Sequence, residues 1–153
     1  MNDMRMRISH TLVDAVKAFE GLRLEAYRCP SGVWTIGYGH TSGVTQGMKV
    51  NEGWAESALK QDLNEVLKQV ERVGLPLNTQ GQIDAVVDFV FNLGITKFKQ
   101  STLRNRIAER AGDDAVCAEF ERWVFGTQNG KKVKLQGLVK RREWECKRWI
   151  AVI

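Results

Sequence analysis

The sequence predicts an α+β fold in which a small region built on a glycine-rich β-hairpin joins a larger region of helices. Apolar residues recur at helical spacing up to residue 20 and again beyond residue 50. The segment between them combines turn residues with a short run of β-branched and aromatic residues, which is the pattern of a turn and a strand. A chain of 153 residues is long enough for one domain that buries roughly two thirds of its unfolded surface.

We expect this single domain, residues 1–153, to have two lobes joined by a helix. The β-hairpin lobe covers about 21–50, and the connecting helix covers about 51–73. The helical lobe takes in residues 1–20 and 74–153.

The first predicted helix ends at a carboxyl group. Its apolar face consists of Ile8, Leu12, Val13, Val16 and Phe19. Glu20 falls in the last turn, and Gly21 is a stop signal. Helix C-termini carry partial negative charge, which disfavours an anion and suits a proton donor. Glu20 is therefore a candidate general acid, although a glutamate at a helix end is in most proteins a solvated surface charge.

A turn at Pro30, Ser31 and Gly32 precedes the predicted strand. Alternation places Trp34, Ile36, Tyr38 and His40 on one face and Val33, Thr35, Gly37 and Gly39 on the other. Glycines beside a strand hydroxyl indicate that a ligand or another backbone approaches closely. We therefore expect a polymer lying on that face to meet Thr35, although threonine is also simply a favoured strand residue.

Apolar periodicity predicts two long helices after the hairpin. The first runs from Asn51 to about Val73 and is closed by Gly74 and Pro76. The second begins near Thr79, and Asn92 and Gly94 end it. Its apolar positions are Ile83, Val86, Val87, Val90 and Phe91, which predict the core of the larger lobe.

The remaining third of the chain predicts shorter elements. One helix spans about Ser101 to Ala111, and the next contains Val116, Phe120 and Trp123. The segment GTQNGKKVKLQG is predicted to be a polar loop. The C-terminal stretch LVKRREWECKRWIAVI predicts a closing helix packed on the core, with a cationic helix acting on a membrane as the alternative.

Several of these motifs resemble those of the phage-type lysozymes, glycoside hydrolase family 24. The resemblance rests first on EGLRLEAY followed by GVWTIGYGHT, and continues through QGQIDAVVDFVFNLG, FKQSTLRNRI, the lone Trp123 and GLVKRREWE. It implies a lysozyme-like fold with a cleft between the lobes. It also implies that Glu20 is the general acid and that the Thr35 hydroxyl orients the attacking water.

Cys29 stands where the family pattern usually has an aspartate. Glycoside hydrolysis ordinarily uses two carboxyl groups, so a thiol can fill the second role only when it is ionised. Neighbouring cations such as Arg23 or Arg28 would favour the thiolate. Three interpretations stay open: a working second catalytic group, a tolerated replacement while Thr35 holds the water, or a wall-binding protein with crippled chemistry.

The resemblance also bears on four further residues. It places Phe91 and Asn92 where they would touch sugar, whereas a helix terminus capped by asparagine is the plain alternative. It pairs His40 with Asp62 in an ion pair that ties the small lobe to the connecting helix. With His10 as the other histidine and no close Cys/His spacing, we expect no metal and no cofactor.

The implied function is that of an endolysin muramidase, which hydrolyses the β-1,4 bond between N-acetylmuramic acid and N-acetylglucosamine in bacterial peptidoglycan and so lyses the host cell. One alternative is a lytic transglycosylase in which Glu20 alone acts as acid and base. The other is a non-catalytic cationic protein that binds the wall or disrupts membranes.

Composition limits the partners and the compartment. The net charge of +5 and a sequence pI near 9.3 suit anionic wall polymers, but no spacing favours nucleic acid. No apolar stretch is long enough for stable membrane insertion, and the segment MNDMRMRISH lacks the apolar core of a signal peptide. Three cysteines, an odd number, favour a reducing compartment, with Cys117 and Cys146 as small buried hydrophobes. We expect a monomer in the cytoplasm of an infected or lysogenic bacterium, acting on the cell wall after release.

Overall fold

The computed structural model describes residues 6–152, whose contacts divide into two compact units. The first unit is His10–Glu65. The second begins at Val66 and includes the segment before His10. The predicted combination of helices with a small antiparallel hairpin is confirmed in these units, which also contain a second hairpin.

The first unit contains helix α1 (His10–Glu20), strands β1 (Arg23–Arg28) and β2 (Trp34–Gly37), and the start of helix α2 (Glu52–Val73). The two strands pair antiparallel, with Tyr27 opposite Thr35. Helix α1 ends at Glu20 as predicted, and α2 has the predicted bounds to within one residue, whereas Ile8, predicted on the face of the first helix, lies before α1. The buried apolar residues of this unit include Leu12, Val16, Ile36, Tyr38, Ala55, Leu59 and Leu63.

The predicted alternation over residues 33–40 is wrong beyond Gly37. The strand ends there, and the chain turns so that Ile36 and His40 exchange both backbone hydrogen bonds at 2.9 Å. Gly37 and Gly39 have φ of +66° and +81°, which only glycine adopts readily. A Cβ on Gly37 would also lie 3.2 Å from the Ala55 Cβ. Tight turning and contact with α2 therefore explain Gly37.

The second unit contains five helices and one hairpin among its described residues. These are α3 (Gln80–Leu93), α4 (Ile95–Gln100), α5 (Thr102–Ala108), α6 (Asp113–Glu121), β3 (Phe125–Gln128), β4 (Lys131–Lys134) and α7 (Gln136–Ile150). Helix α7 packs on α3 and α6, which confirms the predicted closing helix.

Helix α3 is the core of this unit, as predicted. It starts after Thr79, whose hydroxyl accepts a hydrogen bond from the Gln82 amide at 3.1 Å, a cap that stabilises a helix by about 1 kcal/mol. Gly81 allows α7 to approach, because a Cβ there would overlap the Arg148 carbonyl oxygen. Phe89 is fully buried and makes edge-to-face contacts with Phe98, Phe120 and Trp123, with ring centroids 5.5–5.9 Å apart.

Two predictions for the shorter elements are wrong. The helix predicted over 101–111 ends at Ala108, because Arg110 takes a left-handed backbone with φ of +58°, and α4 before it was not predicted. The predicted polar loop is the β3–β4 hairpin. Asn129 and Gly130 form its turn with φ of +51° and +75°, the geometry for which an Asn-Gly pair is the strongest short-range signal.

The prediction for two of the three cysteines is also wrong. Cys117 on α6 and Cys146 on α7 form a disulfide, with Cα atoms 5.1 Å apart. Packing of α7 on α6 brings together residues that are 29 positions apart, and composition does not contain that information. A cross-link of this loop length stabilises the fold by about 3–4 kcal/mol in the chain-entropy account. Cys29 remains as the free thiol.

Across residues 6–152, none of the helices combines the length and the apolarity that crossing a bilayer requires.

Candidate active site

The candidate acid lies where the sequence places it, at the end of α1. Glu20 is the last residue of the helix and is exposed, and Gly21 follows with φ of +73° and donates to the Lys17 carbonyl. Gly39, in the turn after β2, lies against the carboxylate, since a Cβ on Gly39 would be 3.4 Å from Glu20 Oε2. Glycine at position 39 therefore leaves room for the Glu20 carboxylate beside the turn.

Cys29 and Thr35 share one hairpin. Cys29 directly follows β1 and is half-buried, whereas Thr35 lies in β2 with 4% of its surface exposed. The Thr35 hydroxyl donates to the Val33 carbonyl at 3.0 Å and lies close to the Cys29 thiol. The structure thus brings together two of the three residues that resemblance implicates in catalysis, in the same unit as the third.

Hydrogen bonds make the Cys29 thiol ionise more readily than an ordinary cysteine. The Ser31 hydroxyl, followed by the Val33 backbone amide, lowers the pKa of Cys29 to about 7, and burial of the thiol opposes this change. Charge from Arg23 or Arg28, the expected cause, is not among the main contributions to this shift. Their guanidinium groups lie over the rings of Tyr27 and Trp34, at 4.3 and 5.3 Å from the centroids.

His40 is buried and makes structural contacts within the first unit. It is 9% exposed, its Nδ1 lies 2.7 Å from Asp62 Oδ2, and its ring meets Trp54 edge-on at 5.6 Å. This is the contact that the sequence resemblance implies. It joins the turn after β2 to α2.

Phe91 and Asn92 lie in the second unit, near the end of α3, and both are half-buried. Asn92 does not cap the helix, because its Oδ1 accepts a hydrogen bond from Arg142 Nη2 at 2.8 Å. The cap is Gly94, whose amide donates to the Val90 carbonyl. The alternative that explained Asn92 as a capping residue is therefore wrong.

Sequence reasoning missed a buried cluster of ionisable side chains that supports this end of α3. Arg141 donates to both oxygens of Asp88 at 2.8–3.2 Å, and Arg142 Nη2 donates to Glu145 Oε2 at 3.0 Å. All four side chains are at most 5% exposed. The sequence contains two signals of this cluster. Asp88 lies within the apolar run of α3, and Arg141 and Arg142 are adjacent on α7, which packs on α3.

The first unit contains both a candidate acid and an activated thiol. The exposed carboxyl at a helix end can hand a proton to a leaving oxygen. The hydroxyl-supported thiolate can take a proton from water at neutral pH, because its pKa is about 7. The described residues, 6–152, contain no cluster of three His, Cys, Asp or Glu side chains that could hold a metal ion.

Comparisons with known proteins found matches over most of the chain. A family model described as phage lysozyme matches residues 17–145. The chain is 41% identical over 142 residues to the endolysin of Acyrthosiphon pisum secondary endosymbiont phage 1, covering 92% of this chain and 95% of that protein.

Two solved structures are similar over nearly the whole chain. The muramidase domain of SpmX from Asticaccaulis excentricus is 36% identical with a TM-score of 0.89, covering 96% of this chain and 99% of that one. The endolysin from Escherichia coli O157:H7 phage FAHEc1 is 33% identical with a TM-score of 0.83, covering 99% and 97%. The predicted lysozyme-like fold is confirmed by these matches.

Proposed function

Because the chain belongs to the phage lysozyme family, we propose that it is an endolysin muramidase that hydrolyses the β-1,4 bond between N-acetylmuramic acid and N-acetylglucosamine in peptidoglycan. The observation that carries the proposal is that one unit contains an exposed acid at the end of α1 and a thiol that its own hairpin helps to ionise. The net charge of +5 suits a wall polymer that bears carboxylates.

In the proposed reaction, Glu20 donates its proton to the glycosidic oxygen as the bond from that oxygen to the anomeric carbon breaks. Thr35 orients a water molecule, whose oxygen bonds to the anomeric carbon. The Cys29 thiolate takes the proton from that water. Two groups thereby fill the roles that paired carboxyl groups fill in most glycosidases. Phe91 and Asn92 are proposed sugar contacts, and the protein acts as a monomer without a cofactor.

The products distinguish this function from its enzymic alternative. A transglycosylase needs only one acid, and the thiol in place of a second carboxyl group keeps that alternative open. Purified peptidoglycan digested by the protein should release muropeptides with reducing ends, as measured by mass spectrometry before and after borohydride reduction. Muropeptides that end in 1,6-anhydro sugars and resist reduction would instead identify a transglycosylase.

The role of Cys29 predicts a specific response to substitution. Cys29→Ala should lower the cleavage rate by about 10²-fold, the usual scale for a positioned base, whereas Cys29→Asp should remain active. The rate of the wild type should rise as pH increases through about 7, where the thiol ionises. In Cys29→Asp this rise should move to lower pH, because an ordinary aspartate ionises near 3.9.

Release of soluble muropeptides from a fixed amount of wall, measured from pH 4 to 9, tests both expectations. Cys117→Ala is not a suitable control because it breaks the disulfide. Ser101→Ala is also unsuitable because its hydroxyl caps α5. Thr11→Ala, at an exposed hydroxyl on α1, is the matched control. Cleavage by Cys29→Ala at the control rate would show that the thiol is a bystander.

A further inference from the structure

The turn that joins β1 to β2 determines the position of Ser31. The Gly32 amide donates to the Cys29 carbonyl at 2.8 Å, and the Cys29 amide donates to the Val33 carbonyl at 3.0 Å. Pro30 restricts the second turn position, and Gly32 supplies φ of +86° at the end of the loop. The result is a three-residue loop closed on both sides, a recurrent hairpin connection with little freedom.

This loop brings two side chains of the same turn into contact. Ser31 Oγ lies 2.8 Å from Cys29 Sγ, although both residues are near the surface of the hairpin. A thiolate has no proton and can only accept hydrogen bonds, whereas a serine hydroxyl has one proton to donate. An ionised Cys29 therefore fixes the direction of this bond, with Ser31 as the donor.

The two hydroxyl groups beside the sulfur are not equivalent. Thr35 already donates its proton to the Val33 carbonyl at 3.0 Å. Within residues 6–152, Cys29 is the one hydrogen-bond partner of the Ser31 side chain, so the Ser31 hydroxyl can donate its proton to an ionised sulfur. Of all the groups around the thiol, Ser31 makes the largest contribution in favour of the thiolate.

We propose that Ser31 is a positioning residue for the reaction, whose hydroxyl donates to Cys29 Sγ and holds the sulfur ionised and in place while Thr35 is left to orient water. The inference rests on the proposed function, because Ser31 affects the reaction only if Cys29 is the base. The hydrogen bond from Ser31 also explains how a thiol can replace a carboxylate as the base. An ordinary thiol is mostly protonated at neutral pH, whereas a carboxylate is ionised there without assistance.

The direct test measures the thiol rather than the activity. Cys117 and Cys146 are paired, so iodoacetamide should alkylate Cys29 alone, and intact mass gives the rate at each pH. The wild-type rate should have its midpoint near 7. Ser31→Ala should move this midpoint upward, toward the 8.5 of an ordinary thiol, and Ser31→Thr, which keeps a hydroxyl, should stay near the wild type.

The same variants should differ in cleavage. At pH 6.5, Ser31→Ala should lose about tenfold in kcat, whereas at pH 9, where an unassisted thiol is largely ionised, the loss should be less than about twofold. In a Cys29→Asp background, Ser31→Ala should produce no pH-dependent loss, because the carboxylate is already ionised. A purely structural role for Ser31 would lower the rate equally at every pH and in both backgrounds.

Two outcomes would overturn the inference, and they differ in what else they affect. An alkylation midpoint that Ser31→Ala leaves unchanged overturns it whatever the activity, and leaves the proposed function standing. A shifted midpoint with unaltered cleavage overturns the catalytic part of the inference. If Cys29→Ala is then also fully active, the proposed role of the thiol in hydrolysis fails with it.

Discussion

Glu20→Gln is expected to lower the rate of peptidoglycan cleavage by about 10³-fold or more, toward the upper end of what a positioned general acid contributes. Glutamine has the same shape but no proton to give to the leaving oxygen. Because Glu20 is exposed at the end of α1, the fold should tolerate the change. The loss should appear in kcat, with little change in the binding of the variant to insoluble wall.

Zymography on purified wall, followed by quantified release of muropeptides, measures this effect. Glu25→Gln is the matched control, since it removes one negative charge from an exposed position on β1 in the same unit. Its cleavage rate should equal that of the wild type. A folded Glu20→Gln variant that cleaves at the control rate would contradict the general-acid assignment. Lysis of whole cells without bond cleavage would favour the cationic wall-binding alternative.

The parts of the fold that were predictable from sequence are those governed by local interactions. Helices α2 and α3 repeat their apolar positions over many turns, and Thr79 and Gly74 mark their ends. Such repeated, local signals agree with one another along a whole element. Short elements such as α4 have too few residues to produce a pattern. The β3–β4 hairpin was missed because its Asn-Gly turn was treated as part of a polar loop.

The candidate site likewise contains residues that were predictable from local sequence and contacts that were not. Glu20, Cys29 and Thr35 were predictable because one continuous motif contains all three. The hydrogen bond from Ser31 was not, because it depends on the detailed closure of the turn. The pairing of Cys117 with Cys146 depends on how α7 lies on α6, which no local pattern records.

The buried ionisable side chains beneath α7 allow a direct test of stability in the second unit. Asp88 is fully buried, and both its oxygens accept hydrogen bonds from Arg141. Asp88→Ala should lower the free energy of unfolding by about 3–5 kcal/mol, because it removes the main carboxylate partner of a buried guanidinium group. Equilibrium unfolding in urea, followed by tryptophan fluorescence, measures the change.

Glu109→Ala is the matched control for this change. It removes a carboxylate that pairs with Arg106 at 3.0 Å on the exposed surface of the same unit. An exposed pair of this kind contributes about 0–1 kcal/mol. If Asp88→Ala cost no more than Glu109→Ala, the buried cluster would not stabilise the fold.

Glu145 in the same cluster should respond differently, because burial and the neighbouring Asp88 raise its pKa well above the usual value. The native state therefore keeps a proton that the unfolded chain releases near pH 4.3. This contribution is fully present below that pH and is lost as pH rises through the raised native value. Glu145→Gln copies the protonated form, so it should lower the free energy of unfolding far less than Asp88→Ala does. The stability of Glu145→Gln relative to wild type should increase with pH over that range. A constant difference between Glu145→Gln and wild type from pH 4 to 9 would show that Glu145 is ionised throughout, with Arg142 as its counter-ion.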